Sequence, residues 1–194
     1  MLVAVVVAHP AAGSYCRALA QRAVSGLRAG GHEVVVLDLD GFAPAMTAAE
    51  RRAYHGDSPI LDAQVAAHAE VVRRAEALVF VYPTWWSGLP AMLKGWLDRV
   101  LVPGVAFGFD DAGKVQPGLA HVRRIVGIST YGSPRSYVRL VNDNGRRILT
   151  RALRMSCGWR TRCRWLALYA IDTSTSEERD AFAARVEREM ADLR

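Results

Sequence analysis

The sequence predicts an open α/β fold built around one parallel sheet. Its 194 residues are enough for a single domain with a sizeable core, so residues 1–194 are assigned to one domain. Five apolar runs, several of them rich in valine, alternate with helical patterns along the chain. This composition is typical of parallel strands whose two faces are both covered. Repeated strand–helix alternation favours right-handed crossovers with helices on the sheet's faces.

Five short apolar segments are predicted to be the strands. They are residues 2–8, 33–39, 77–82, 122–130 and 164–171. If the strand order is the five-stranded 2-1-3-4-5 type, strands one, three and four are neighbours. The loops that leave the carboxyl ends of these three strands then converge on one edge of the sheet.

Helices are predicted between these strands. They begin near Ser14, cover about 62–75, 89–100 and 144–156, and resume at Ser176. Ser14 is a suitable N-cap, and Pro90 stands in the first turn of the third helix, where proline is tolerated. Apolar residues recur through 89–100 at helical spacing. Ser176 precedes two glutamates, which favours a helix N-terminus there.

Composition and cysteine usage indicate a cytoplasmic protein. The three cysteines, Cys16, Cys157 and Cys163, are an odd number without a CxxC pair, which predicts free thiols in a reducing compartment. No apolar stretch is long enough for a membrane span, and the first residues do not resemble a signal peptide. The five histidines lack the spacing of metal ligands, so no metal site is predicted.

The formal net charge is +6, and seven arginines lie between Arg146 and Arg164. Such a cluster is compatible with a nucleic-acid surface, a solvated helix face, or a basic pocket for an anionic cofactor or substrate. No nucleic-acid-binding motif accompanies it. We therefore favour the solvated face and expect no nucleic-acid partner.

Three loops of unusual composition follow strands one, three and four, at 8–16, 82–88 and 129–137. The first opens a helix whose backbone N–H groups and Ser14 suit a phosphate, although taken alone the serine is better explained by simple N-capping. The second contains Trp85 and Trp86. Because adjacent side chains of an extended segment point in opposite directions, we expect one ring to pack against the third helix's first turn. The other ring would border a flat aromatic ligand.

These loops carry a family resemblance that covers nearly the whole chain. The patterns "AHPxxxSxxxAL" (8–19), "YPTWWSGLPAMLKGWLDRVLVPGVAF" (82–107) and "STYGSPRSY" (129–137) resemble the flavodoxin-like NAD(P)H:quinone oxidoreductases of the DT-diaphorase type. The resemblance implies a flavodoxin-like three-layer α/β/α fold with a five-stranded parallel sheet of order 2-1-3-4-5. It also implies a non-covalently bound flavin and a homodimer with its active site at the subunit interface.

The resemblance assigns roles to residues of all three loops. The ribityl and phosphate groups of the flavin are expected to be held by His9, Ser14, Tyr15 and Cys16. The isoalloxazine is assigned to Pro83, Thr84, Trp85, Trp86 and Ser87, and its pyrimidine end to Ser129, Thr130, Tyr131 and Gly132. The resemblance places Tyr137 at the substrate slot, where its hydroxyl is expected to serve as the catalytic hydrogen-bond donor. We also expect Phe107 and Phe109 to wall the substrate pocket, either within one chain or from the partner subunit, with a role in the core as the alternative. Three positions depart from the family pattern: Cys16 replaces an asparagine, Tyr131 replaces a glycine, and Asp143 lies near a position where some members have histidine.

The resemblance therefore implies a flavin-dependent NAD(P)H oxidoreductase. Such an enzyme passes a hydride from NAD(P)H through the bound flavin to a quinone or similar small acceptor in a ping-pong sequence. FAD is the expected flavin, since the segment 40–61 is long enough to cover an adenosine, and FMN is the alternative. A different class of function is a flavin-binding regulatory subunit of another protein, such as a transporter.

Overall fold

The computed structural model describes residues 1–194 and confirms the five-stranded parallel sheet. Its strands are β1 (Leu2–Val7), β2 (Glu33–Asp38), β3 (Ala77–Thr84), β6 (Arg124–Tyr131) and β7 (Arg162–Leu168). Their order is β2-β1-β3-β6-β7, and every neighbouring pair is parallel. This is the predicted 2-1-3-4-5 order, counted along the main sheet. A separate antiparallel hairpin consists of β4 (Phe107–Phe109) and β5 (Val115–Pro117).

Helices cover both faces of the sheet. They are α1 (Tyr15–Ala29), α2 (Ala48–Ala53), α3 (Ala63–Arg74), α4 (Ala91–Val100), α5 (Arg135–Leu140), α6 (Asn144–Arg147), α7 (Arg154–Cys157) and α8 (Ser176–Ala191). α1 and α8 pack on one face, and α3 and α4 pack on the other, each over its own apolar core. The approach of α1 to α8 is so close that a Cβ at Gly26 would lie 2.1 Å from the Glu187 carbonyl oxygen.

Two helix predictions need correction. The fourth predicted helix, 144–156, contains a π-helical segment, Ile148–Leu153, between α6 and α7. The last helix is capped by Thr175 rather than by Ser176, because Thr175 and Glu178 form a reciprocal capping box. No helix is both long enough and apolar enough to cross a membrane.

The long segment 40–61 is held against α4 by a buried arginine. Arg99 contacts Glu50 of α2 through a 2.6 Å ion pair, and both side chains are almost fully buried. Nη1 of Arg99 donates to the Ala43 carbonyl at 2.6 Å, and Asp62 Oδ2 lies 3.2 Å from Nη2. Burial alone would raise the pKa of Glu50, but hydrogen bonds from Arg99 and Thr47 bring it below its ordinary value.

Removing Arg99 should therefore destabilise the fold. Arg99→Met leaves the Glu50 carboxylate buried without its counter-ion, so we expect the free energy of unfolding to fall by about 3–5 kcal/mol in urea denaturation at neutral pH. The exposed Arg52 of α2 provides the control, and Arg52→Gln should change the free energy of unfolding by less than about 0.5 kcal/mol. Equal stability of the two variants would show that the buried pair is dispensable.

Candidate active site

The carboxyl ends of β1, β3 and β6 bring the three loops to one rim. Pro83 and Thr84 of β3 are in register with Thr130 and Tyr131 of β6. The His9 and Trp85 rings meet edge to face with centroids 5.8 Å apart. Because the loop after β1 also contacts β6, through Cys16 Sγ and Thr130 Oγ1 at 3.6 Å, all three loops touch one another.

A cavity of about 660 Å³ lies between the loops after β3 and β6. This volume is within the range typical of small-molecule sites. Nine of its lining residues were singled out in the sequence: Pro83, Thr84, Trp85, Trp86, Ser87, Thr130, Tyr131, Gly132 and Tyr137. The cavity therefore combines two exposed indoles with hydroxyl groups and a glycine at the edge where ligands bind in open α/β sheets.

Residues 85–88 form a tight two-residue turn with an unusual backbone. Trp85 and Gly88 exchange two backbone hydrogen bonds, of 3.3 and 3.0 Å. Between them Trp86 and Ser87 have φ angles of +48° and +56°, the left-handed pair of a type I′ turn. Neither residue is glycine, so the turn is strained, and such strain is concentrated at functional sites.

The turn also corrects the expectation for the two tryptophans. Trp85 is 45% exposed and Trp86 is fully exposed, so neither ring is buried in the core as one of them was expected to be. The reason is the left-handed backbone, which replaces the extended geometry that would have sent the two rings to opposite sides. Large exposed aromatic side chains of this kind usually mark a contact surface.

Backbone donors at the cavity are free. The N–H groups of Trp86, Ser87, Gly132 and Ser133 make no hydrogen bond within the chain. A Cβ at Gly132 would lie 2.8 Å from Asp172 Oδ2, so a larger residue here would require the Asp172 side chain to move. The rim thus offers hydrogen-bond donors next to aromatic surfaces, which is the combination that a planar ligand with a polar edge requires.

Tyr131 forms part of the buried wall of the cavity. Its ring is 1% exposed and stacks on Tyr169 with centroids 4.8 Å apart. Its hydroxyl donates to Asp143 Oδ1 at 3.0 Å. Burial and the nearby Asp143 raise the pKa of Tyr131, so the phenol keeps its proton and remains a donor. Asp143 itself adopts a left-handed conformation and also lines the cavity.

The predicted phosphate residues lie at the start of α1, outside this cavity. Ser14 Oγ accepts from the Arg17 N–H at 3.3 Å, the Tyr15 hydroxyl donates to the Arg179 carbonyl at 2.5 Å, and Cys16 is buried. Burial raises the pKa of the Cys16 thiol to about 11. These side chains are engaged within the chain, but the N–H groups of Tyr15 and Cys16 are unpaired. Those two groups therefore remain available to an anion.

Ser129, Phe107 and Phe109 do not line the cavity. Ser129 is fully buried, and its Oγ lies 2.9 Å from Thr84 Oγ1, so it supports the wall from behind. Phe107 and Phe109 belong to the β4–β5 hairpin, where their rings meet edge to face with centroids 5.8 Å apart. Within one chain these two phenylalanines lie outside the cavity, so their assignment to the substrate pocket stays a prediction that depends on a partner subunit.

Several lining residues were missed by sequence reasoning. They are Ser133, Val138, Val141, Ile171 and Asp172, and Asp143 was noted only as a departure from the family pattern. Ile171 and Asp172 follow β7, which ends at Leu168, three residues before the predicted end. Applying the carboxyl-end rule to this fifth strand with its correct boundary would have found them.

Comparisons with known proteins agree with this architecture. A protein-family model described as a flavodoxin-like fold matches residues 1–193. The human ribosyldihydronicotinamide dehydrogenase [quinone] is 40% identical over 82 residues, which are 40% of this chain and about a third (34%) of that protein's length.

Two solved structures share the fold over nearly the whole chain. The NAD(P)H:quinone oxidoreductase of Methanothermobacter marburgensis superposes with a TM-score of 0.85 at 24% identity and covers 100% of this chain and 99% of its own. An FMN-dependent NADH-azoreductase of Bacillus anthracis in complex with FMN gives a TM-score of 0.75 at 14% identity, with 98% and 97% coverage.

Relieving the strained turn should stabilise the protein. Ser87→Gly places the residue that best tolerates a left-handed backbone at φ +56°, so we expect the free energy of unfolding to rise by about 1 kcal/mol. Urea denaturation of the cofactor-free protein measures it. Ser136→Gly, in the helical α5, is the matched control and should lower the same quantity by about 0.5 kcal/mol. A loss of stability in both variants would contradict the left-handed turn.

Proposed function

The chain belongs to the flavodoxin-like fold family, and from this premise we propose that it is a flavin-dependent NAD(P)H oxidoreductase acting on a quinone or similar small acceptor. The observation that carries the proposal is the cavity at the rim, where a strained turn exposes two indoles beside four unpaired N–H groups. The names of the relatives, a quinone-dependent dehydrogenase and a quinone oxidoreductase, support the same chemistry.

The residues present fit an isoalloxazine. This ring system is flat and aromatic along one edge and carries carbonyl and imide groups along the other. Trp85 and Trp86 supply aromatic surface, while the N–H groups of Gly132 and Ser133 are free to bond a polar edge. Pro83, Thr84 and Thr130 complete the wall of the cavity.

A flavin phosphate has a matching site at the start of α1. The unpaired N–H groups of Tyr15 and Cys16, at the N-terminus of a 15-residue helix, favour an anion. The Ser14 hydroxyl can add a donor, since its oxygen accepts only one hydrogen bond from Arg17. His9 contacts Trp85 and so joins the phosphate end to the ring end. FAD remains the expected form, with FMN the alternative that analysis of the released cofactor distinguishes.

The chain's contribution to the reaction is placement and electrostatics. A bound flavin supplies two-electron transfer between NAD(P)H and the acceptor. The unpaired N–H groups of Gly132 and Ser133 would hold the polar edge of the ring and would stabilise negative charge there. Tyr137 lines the cavity and would donate a hydrogen bond to the acceptor oxygen as the acceptor is reduced. Asp143 holds the Tyr131 hydroxyl and keeps the buried wall in place.

We further propose that the protein forms a homodimer and is located in the reducing cytoplasm. Trp86, Tyr137 and Leu140 leave apolar surface exposed around the rim, as a subunit interface requires. In such a dimer, Phe107 and Phe109 of one protomer would border the cavity of its partner, the arrangement that a single chain lacks. The three cysteines are free thiols, in keeping with reducing conditions.

Purified protein should be yellow, and Trp86→Ala should weaken flavin retention. Loss of the stacking surface should raise the flavin dissociation constant about tenfold, equivalent to about 1.4 kcal/mol. Fluorescence titration of the cofactor-free protein measures it, and chromatography identifies the released flavin. Trp159→Ala, which removes another strongly exposed indole outside the cavity, is the matched control and should leave the constant unchanged. A colourless protein that gains no flavin on reconstitution would refute the proposed function.

Tyr137→Phe should separate catalysis from cofactor binding. Removal of the donor hydroxyl should lower kcat/KM for a quinone about 100-fold, because the acceptor oxygen loses the hydrogen bond that stabilises it as it is reduced. The flavin dissociation constant should stay unchanged, since this side chain is assigned to the acceptor. Steady-state assays with the flavin-loaded protein measure the first quantity and titration the second. Equal quinone turnover by the variant would remove Tyr137 from the reaction.

A further inference from the structure

A second cavity adjoins the first and is strongly basic. Its volume is about 310 Å³, and it shares Val138 and Asp143 with the larger cavity. Five arginines line it: Arg135, Arg139, Arg146, Arg147 and Arg151. Asn142, Thr150 and Tyr169 supply further polar groups. The cavity is therefore suited to an anion by both charge and hydrogen-bonding capacity.

Two helical segments supply these guanidinium groups. Arg135 and Arg139 are one turn apart on α5, and Arg147 and Arg151 are one turn apart on α6 and the π-helical segment. The chain turns between them at Asn142, whose φ is +70°, and Asp143. Like charges at this spacing destabilise a helix. Two such pairs lining one cavity therefore carry an electrostatic cost that an anion would offset.

The basic charge of the cavity is not neutralised by the chain. None of the five arginines forms an ion pair within 4.0 Å, whereas Arg17, Arg22 and Arg99 elsewhere do. Asp143 is the one carboxylate in the lining, and Oδ1 of that group already accepts from Tyr131. Burial and Asp143 raise the pKa of the half-buried Tyr169, and Arg146, Arg135 and Arg139 oppose that rise, so the positive charge of the arginines acts at this edge of the cavity.

The guanidinium fork matches phosphate oxygens in a bidentate geometry and is the usual choice for phosphate recognition. The cavity has room for a phosphorylated ribose but not for a whole dinucleotide. The larger cavity beside it suits an uncharged flat ring. A nicotinamide dinucleotide combines these parts, with a ring at one end and phosphates along the rest of the molecule.

We infer that the five-arginine cavity binds the phosphate groups of the hydride donor, including a 2′-phosphate, so that the chain prefers NADPH to NADH. This inference rests on the proposed function. The number of guanidinium groups favours the donor with the extra dianionic phosphate over the one that carries only the pyrophosphate. The larger cavity, to which the flavin ring is assigned, has no basic side chain in its lining.

Direct binding tests the cavity independently of turnover. Adenosine 2′,5′-bisphosphate and adenosine 5′-monophosphate are titrated calorimetrically into the protein as purified. The bisphosphate should bind at least about tenfold more tightly. In the double variant Arg147→Gln/Arg151→Gln this advantage should disappear, whereas Arg52→Gln should retain it. Equal affinities for the two nucleotides in the wild type, or an unchanged advantage in the double variant, would overturn the inference.

Kinetics give a second readout. The double variant should raise KM for NADPH about tenfold with little change in kcat, and KM for NADH should move much less. If that variant does not fold, as judged by its melting temperature, Arg135→Gln/Arg139→Gln replaces it. A single-stranded thymidine oligonucleotide serves as competitor, and displacement by it without any 2′-phosphate preference would overturn the inference in favour of a nucleic-acid surface. A protein without flavin would refute the proposed function, while the nucleotide titration would still decide on the cavity.

Discussion

Parallel pairing of β1, β3 and β6 is the constraint on which the candidate site depends. With β3 between the other two, the residues that leave each strand emerge on the same edge, and the register places Pro83 opposite Thr130. Only short loops are then needed for His9 to reach Trp85 and for Cys16 to reach Thr130. A one-residue shift of β6 would turn Thr130 to the other face of the sheet and separate these contacts.

The rigid sheet also makes the strained turn tolerable. A left-handed backbone at Trp86 and Ser87 costs roughly 1–2 kcal/mol per residue, which a short isolated hairpin could not sustain. Here the turn is bounded by β3, the central strand of the sheet, and by α4, whose apolar face is buried in the core. Folding energy from elsewhere thus holds two large rings in solvent, where only a ligand or another chain can cover them.

The features that sequence could predict are those set by composition and by topology. Apolar runs such as 77–82 identify the strands, and the rule for carboxyl ends then brings Thr84, Thr130 and Gly132 to one cavity. The orientation of Trp86 was not predictable in this way, because neither it nor Ser87 is a residue that signals a left-handed turn. The π-helical segment 148–153 was equally hidden, since six residues are too few for its i→i+5 pattern to show in the spacing of apolar side chains.

Asp143 links the two cavities through its charge. Its carboxylate accepts from Tyr131, which orders the aromatic wall of the larger cavity, and it faces the arginines of the smaller one. One carboxylate cannot balance five guanidinium groups, so the boundary between the cavities separates a site without basic side chains from a positive one. A ligand that is neutral throughout leaves the charge of the five arginines uncompensated. A ligand that is anionic throughout is repelled by Asp172 in the larger cavity, whose lining has no basic side chain to offset that repulsion. The pair of cavities therefore selects molecules that are uncharged at one end and phosphorylated at the other.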